Sequence, residues 1–121
     1  MAYPNELLYT PDHIWIKDNG ETILIGITDY AQDQLGEILF VDLPEVGKTF
    51  EAGKVMIEIE SQKTSSELSI PFDCEIVAVN EDLDDSPELV NEDAYANWIA
   101  EIKTDQAPSG LLSAADYEAG L

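Results

Sequence analysis

Val55-Met56-Ile57-Glu58-Ile59-Glu60-Ser61-Gln62-Lys63-Thr64-Ser65-Ser66-Glu67-Leu68-Ser69-Ile70-Pro71-Phe72 is the stretch whose reading decides the fold. Val55, Ile57 and Ile59 alternate with Met56, Glu58 and Glu60. Beyond a polar break, Leu68, Ile70 and Phe72 alternate with Glu67, Ser69 and Pro71. Period-two patterning on both sides of a break predicts two strands, each burying its apolar set on one face. The run from Ser61 to Ser66 holds no bulky apolar residue, which suits a turn standing in water. Lys63 is therefore expected at an exposed hairpin tip. It is the only cationic residue between Lys54 and Lys103, and the chain has no arginine. A lysine in a turn is ordinarily a solubilising charge, so its meaning depends on what surrounds it.

Working upstream, Glu45 to Lys54 carries Gly47 and Gly53 at turn positions around a short segment, and Glu37 to Pro44 reads as an apolar strand ended by proline. Thr28 to Gly36 reads as a short helix: Thr28 suits the N-cap, Asp29 the positive end, and Gly36 a left-handed stop. Tyr9 to Lys17 runs into a strand with Ile14 and Ile16 on one face and Trp15 on the other. Asn19-Gly20 is a hairpin turn signal, and Thr22 to Ile27 is the return strand. Leu7 and Leu8 are expected to pack at the edge.

Downstream, Glu75 to Asn80 predicts another strand and Glu81 to Asp85 an acidic loop. Ser86-Pro87-Glu88-Leu89-Val90-Asn91 predicts a helical turn capped by Ser86, with Pro87 at its first position. Trp98, Ala100 and Ile102 alternate as a closing strand. Ser113 to Asp116 has the form of a capping box opening a final helix, docked by Leu111, Leu112 and Tyr117. Many short strands punctuated by turns predict a mainly β fold, a flattened barrel or sandwich, with short helices near 29 to 35, 87 to 91 and 113 to 119.

Glu60-Ser61-Gln62-Lys63-Thr64-Ser65-Ser66 resembles the E-S-x-K-[AT]-x-S signature around the lipoylated lysine of the glycine cleavage H protein family. The resemblance extends to Gly26-Ile27-Thr28-Asp29-Tyr30-Ala31-Gln32-Asp33-Gln34-Leu35-Gly36, to Ser86 through Asn91, and to the opening Tyr9 to Trp15. Three places depart from the family pattern. Ile14 stands where the family has glutamate, Asp73-Cys74 replaces a Ser-Gly pair, and residues 92 to 102 lack the family's proline and glycine. The resemblance implies the lipoyl/biotinyl-carrier architecture, a hybrid barrel-sandwich spanning residues 1 to 121 as one carrier domain. It implies lipoate attached covalently to Lys63, with Glu60, Ser61, Ser66 and Glu67 around the arm and Asp12 and Ile14 in a cleft that receives it.

The chain has 121 residues, enough for one hydrophobic core. Its net charge of −21 comes from 26 acids against 5 lysines, and such a field repels nucleic-acid phosphates and anionic membranes. Nucleic-acid and membrane partners are therefore not expected. The acidity suits either docking on basic patches of larger enzymes or simple solubility. The lone Cys74 excludes an intramolecular disulfide, and no targeting or membrane-spanning run is evident, so a cytoplasmic monomer is expected. Cys74 itself reads as a small packed residue rather than a reactive one. His13, the only histidine, has no neighbours with metal-ligand spacing. No nucleophile, base and orienting group occur together, which argues against an enzyme in its own right; the resemblance implies a carrier that serves partner enzymes.

Two pathways are open to a lipoyl carrier of this kind. The family's own cycle shuttles the aminomethyl group of glycine between glycine decarboxylase, an aminomethyltransferase and dihydrolipoamide dehydrogenase, after a lipoate ligase or lipoyl transferase has modified the lysine. H-like relatives instead serve sulfur oxidation with a heterodisulfide-reductase-like complex. An apolar residue at position 14 cannot bond an amine, and this departure together with Asp73-Cys74 favours a dedicated H-like carrier, for example in sulfur oxidation. A scaffold module that carries no lipoate is a further alternative, disfavoured by the presence of E-S-x-K and its following serine.

Overall fold

The computed structural model describes residues 4, 6–10, 12–70, 72–104 and 111–120. The first three strands, β1 (Leu8–Tyr9), β2 (Ile14–Asp18) and β3 (Ile23–Ile27), pair in order, and helix α1 (Asp29–Leu35) follows. Strands β4 (Ile38–Asp42), β5 (Thr49–Phe50), β6 (Ile57–Ser61), β7 (Ser65–Leu68) and β8 (Cys74–Val79) come next. Short helices α2 (Asp82–Asp85) and α3 (Leu89–Glu92), strand β9 (Ala100–Lys103) and helix α4 (Ala114–Ala119) complete the order. One sheet has six strands in the order β1-β2-β3-β9-β8-β5, and the other has three in the order β4-β6-β7. This is the mainly β, two-sheet barrel-sandwich with a few short helices that the alternating pattern predicts.

Alternation in β2 explains why the molecule has two apolar clusters. Ile14 and Ile16 join Ile25, Ile27, Ile38, Val41, Ile57, Ile59, Leu68, Ile76 and Ile102, so that both sheets contribute to one buried core. Trp15 points the other way, into a smaller cluster with Leu7, Tyr9, Ala114 and Tyr117. Burying apolar surface at about 25 cal/mol per Å² makes these two clusters the main stabilising term. The indole of Trp15 lies over Gly26, its partner across β2 and β3, and donates its N–H to the Ala94 carbonyl at 3.0 Å. A Cβ built on Gly26 would stand 2.6 Å from the indole ring, so the strand carries a glycine there to admit tryptophan. Helix α4 covers the same cluster. Its N-cap Ser113 accepts the Asp116 N–H, and Leu112 exchanges backbone hydrogen bonds with Tyr9 at 2.7 and 2.8 Å.

Several local expectations change. Val55 is exposed and Met56 buried, the reverse of the predicted alternation, because β6 begins only at Ile57 and the Met56 N–H already bonds the Leu68 carbonyl at 2.9 Å. Strand β7 ends at Leu68, yet Ile70 and Phe72 are still buried beyond it; Pro71 lies outside the described residues. Residues 81 to 85, expected as a loop, include the helical turn α2, held down by the fully buried Leu83. Ser86 ends that turn and does not cap α3, whose N-cap Glu88 makes no side-chain bond. Trp98 precedes β9 and packs on the smaller cluster, while Ala100 and Ile102 enter the larger one. Leu7 is buried, but Leu8 is largely exposed.

Candidate functional site

Strands β6 and β7 pair from Ile57 opposite Leu68 to Glu60 opposite Ser65, which leaves Gln62 and Lys63 at the centre of the connecting turn. Two-residue hairpin connections ordinarily need positive φ in the turn. Among the described non-glycine residues only His13 has it. Ser61 supplies the alternative. Its hydroxyl accepts the Thr64 N–H at 3.2 Å and donates to the Thr64 carbonyl at 2.8 Å, while its own N–H bonds the same carbonyl at 2.9 Å. The serine side chain thus closes the turn and keeps Lys63 outward and exposed.

The turn is also tied to the rest of the molecule. The Gln62 N–H bonds the Glu37 carbonyl at 3.1 Å, and the Gln62 amide donates to the Glu37 carboxylate at 2.8 Å. Glu60 and Glu67 are exposed on β6 and β7, where Glu58 stands directly opposite Glu67, so the hairpin presents an acidic surface below the lysine. Ser66 is half-buried opposite Ile59. The structure therefore brings Glu60, Ser61, Lys63, Ser66 and Glu67 together on one hairpin.

Asp12 and Ile14 stand at the start of β2, in the other sheet. Asp12 is exposed, and its N–H bonds the Thr10 hydroxyl at 3.2 Å. Ile14 is 1 % exposed and packs in the larger core, so its side chain does not line an open cleft here. Between them His13, at φ 69°, sends Nδ1 to within 2.6 Å of the Tyr117 hydroxyl, which also lies 2.8 Å from the hydroxyl of Thr28. Burial holds the His13 imidazole below its ordinary pKa, opposed by the nearby Asp12 carboxylate. Its role here is to dock α4. Cys74 is buried, with its thiol 3.9 Å from the Met56 sulfur. Burial first and the Asp73 carboxylate second push it up to about 11.

Chemically, the hairpin offers one exposed primary amine on a braced turn, with small or polar neighbours that acylation would not bury. That fits an acyl group carried as an amide on Lys63. Periodicity found the hairpin and its lysine; it missed Glu37 and Asn91 as neighbours, because the contacts that bring them to the turn are not local in sequence.

Comparison with known proteins agrees over nearly the whole chain. Residues 7–121 match the family described as glycine cleavage H-protein. The glycine cleavage system H protein of Herpetosiphon aurantiacus is 50% identical over 95% of this chain and 90% of its own length. The probable glycine cleavage system H protein of Thermococcus gammatolerans is 52% identical over 93% of this chain and 85% of its own. The crystal structure of a glycine cleavage system H protein from Mycobacterium marinum superposes with a TM-score of 0.88 at 38% identity, covering 98% of this chain and all of that one. With the fold, the exposed lysine turn and these relatives in agreement, the chain belongs to the glycine cleavage H-protein family, whose members carry lipoate covalently on a lysine.

Proposed function

We propose that this protein is the lipoyl carrier of a glycine cleavage system, with the lipoyl group on Lys63, and that it shuttles the aminomethyl group of glycine between glycine decarboxylase, aminomethyltransferase and dihydrolipoamide dehydrogenase. The observation that carries this reading is the exposed Lys63 at the braced β6–β7 turn, in a chain whose relatives share about half its residues and bear that name. The chain supplies placement rather than catalysis: amide formation removes the Lys63 charge, and the turn keeps the arm's root outside the two sheets. When bound, lipoate supplies the dithiolane at which the carried group is taken up and electrons are passed on. The acidic surface formed by Glu58, Glu60 and Glu67 steers the carrier toward basic patches on its partners, raising encounter rates without demanding tight binding.

The expectation of a dedicated carrier, for example in sulfur oxidation, rested on Ile14 as an apolar wall facing the arm and on the departure at Asp73-Cys74. Ile14 instead fills the core, which removes that physical premise, and the relatives described above bear the glycine cleavage name. Neither observation favours a heterodisulfide-reductase-like partner. The test is reconstitution: the chain is incubated with a lipoate ligase, ATP and lipoate, and its intact mass and peptide map are measured. The product is then mixed with the decarboxylase, the aminomethyltransferase and dihydrolipoamide dehydrogenase. Modification of Lys63 and turnover of glycine are expected. An unmodified chain removes the carrier reading; a lipoylated chain that turns over no glycine removes the pathway.

A further inference from the structure

The stem of Lys63 does not hang freely from the turn. A Cβ built on Gly36 would stand 3.4 Å from Cε, 3.6 Å from Cδ and 3.7 Å from Cγ of Lys63, so three successive methylenes run past the bare Cα of that glycine. Gly36 ends α1 with φ 78°, a left-handed backbone that resists any side chain. The conformation accounts for glycine at this position, and the stem lies at ordinary van der Waals distance from where a Cβ would stand.

Asn91, on α3, fixes the backbone on either side of the next residue. Its side-chain amide donates to the Gly36 carbonyl at 2.8 Å and to the Gln32 side-chain oxygen at 2.9 Å, and its oxygen accepts the Ile38 N–H at 2.8 Å. One half-buried amide thus holds residues 36 and 38 as a neighbouring strand would. With its flanks held, Glu37 turns both its carbonyl and its carboxylate onto Gln62, the residue beside Lys63. Asn91 therefore reaches the lysine turn through Glu37.

We propose that Gly36, Glu37 and Asn91 form a shelf that positions Lys63 for acylation, with Asn91 and Glu37 acting as positioning residues for the enzyme that attaches the lipoyl group. The proposal rests on the reading of Lys63 as the attachment site. An amine on a braced turn, with its stem laid along a fixed surface, meets the activated acyl group in fewer orientations than one on a loose loop. That difference appears in the rate of the chemical step rather than in recognition.

Acylation of the unmodified chain by a lipoate ligase, followed by intact mass, tests this in four variants beside wild type. Gln62→Glu sets two carboxylates against each other at an exposed site and opens the brace without threatening the fold. We expect kcat for acylation to fall about tenfold with KM little changed, since displacement of a reacting group by about an ångström is enough for losses of this order. The exchange Glu37→Gln with Gln62→Glu restores the hydrogen bond with its polarity reversed and should restore kcat, which loss of an enzyme contact at either residue would not do. Asn91→Asp turns a carboxylate toward the Gly36 carbonyl and should lower kcat similarly. Asp18→Ala loses the bond from the Gly20 N–H in the exposed β2–β3 turn of the other sheet and should leave kcat unchanged. Backbone ¹⁵N relaxation at residues 62 to 64 gives a second readout: more motion in Gln62→Glu and Asn91→Asp, wild-type order in the exchange. Equal kcat and equal tip order in all variants, no recovery in the exchange, or an equal loss in Asp18→Ala overturns the shelf alone. A wild-type chain left unmodified overturns the carrier reading and the shelf together.

Discussion

Nδ1 of His13 and the hydroxyl of Tyr117 meet at 2.6 Å, joining the start of β2 to the C-terminal helix. The Tyr117 hydroxyl also meets Thr28, and the tyrosine ring stacks on Tyr9 with centroids 4.9 Å apart. With Nδ1 unprotonated, it accepts from the tyrosine hydroxyl while Thr28 donates to the same oxygen. Protonation turns Nδ1 into a donor and forces that order to reverse around a Thr28 side chain that is fully buried.

Burial sets the folded pKa of His13 below the ordinary 6.5, so the unfolded chain binds more protons in the interval between the two values. The contribution of His13 to stability is therefore complete above about pH 6.5 and declines as the pH falls through that interval toward the folded pKa. His13 is the only histidine, so its imidazole signals in a proton NMR titration are unambiguous. A midpoint below 6.5 is expected in the folded protein, and His13→Asn should flatten the stability profile between pH 7.5 and 5.5. A midpoint at or above 6.5 would contradict the part-buried contact.

Cys74 is expected to be inert in the folded protein. With its pKa pushed up to about 11, the thiolate fraction at pH 7.5 is on the order of 10⁻³ or less, and 6 % exposure further limits access. Mass spectrometry after brief alkylation at pH 7.5 should show an unmodified native chain and full labelling once denaturant is added. Rapid labelling of the native chain would contradict the burial of Cys74.

Gly26→Ala tests the packing of the smaller cluster. The added methyl would lie 2.6 Å from the Trp15 indole, and the Ala94 hydrogen bond holds the indole in place. Overpacking of this kind costs about 1–3 kcal/mol. A lower thermal midpoint and altered Trp fluorescence should accompany it, with Lys63 acylation preserved. An unchanged midpoint would mean that the indole moves aside without penalty.

Lys63→Arg keeps the charge but removes the amine proposed as the site of lipoylation. It should abolish modification while changing stability by less than about 0.5 kcal/mol, as befits an exposed turn position. Lipoate found on Lys48, Lys54 or another lysine of this variant would move the site.

The sequence made legible whatever depends on local alternation and local caps. Ile57, Ile59 and Leu68 showed their faces, Asn19-Gly20 its hairpin, and Thr28 and Ser113 their capping roles, each of which is set by near neighbours. Misreadings gathered where tertiary contacts override local pattern. Met56 is drawn inward by its bond to Leu68, Leu83 pins an acidic stretch into a helical turn, and Ser86 is taken up by the end of that turn. At the site, the signature around Lys63 was readable as a string. The surfaces that hold it were not, because Gly36, Glu37 and Asn91 reach the lysine only through folding.

The Ser61 hydroxyl has one more consequence, for design. Because it bonds the Thr64 N–H that a backbone carbonyl would otherwise take, the turn makes no demand for glycine or asparagine at its two central positions. Those positions are open to residues chosen for chemistry, and a lysine can occupy one without backbone strain. The four residues from Ser61 to Thr64, grafted together with an acceptor placed as Glu37 is for Gln62, thus form an acceptor turn suited to other antiparallel strand pairs where a single addressable amine is wanted.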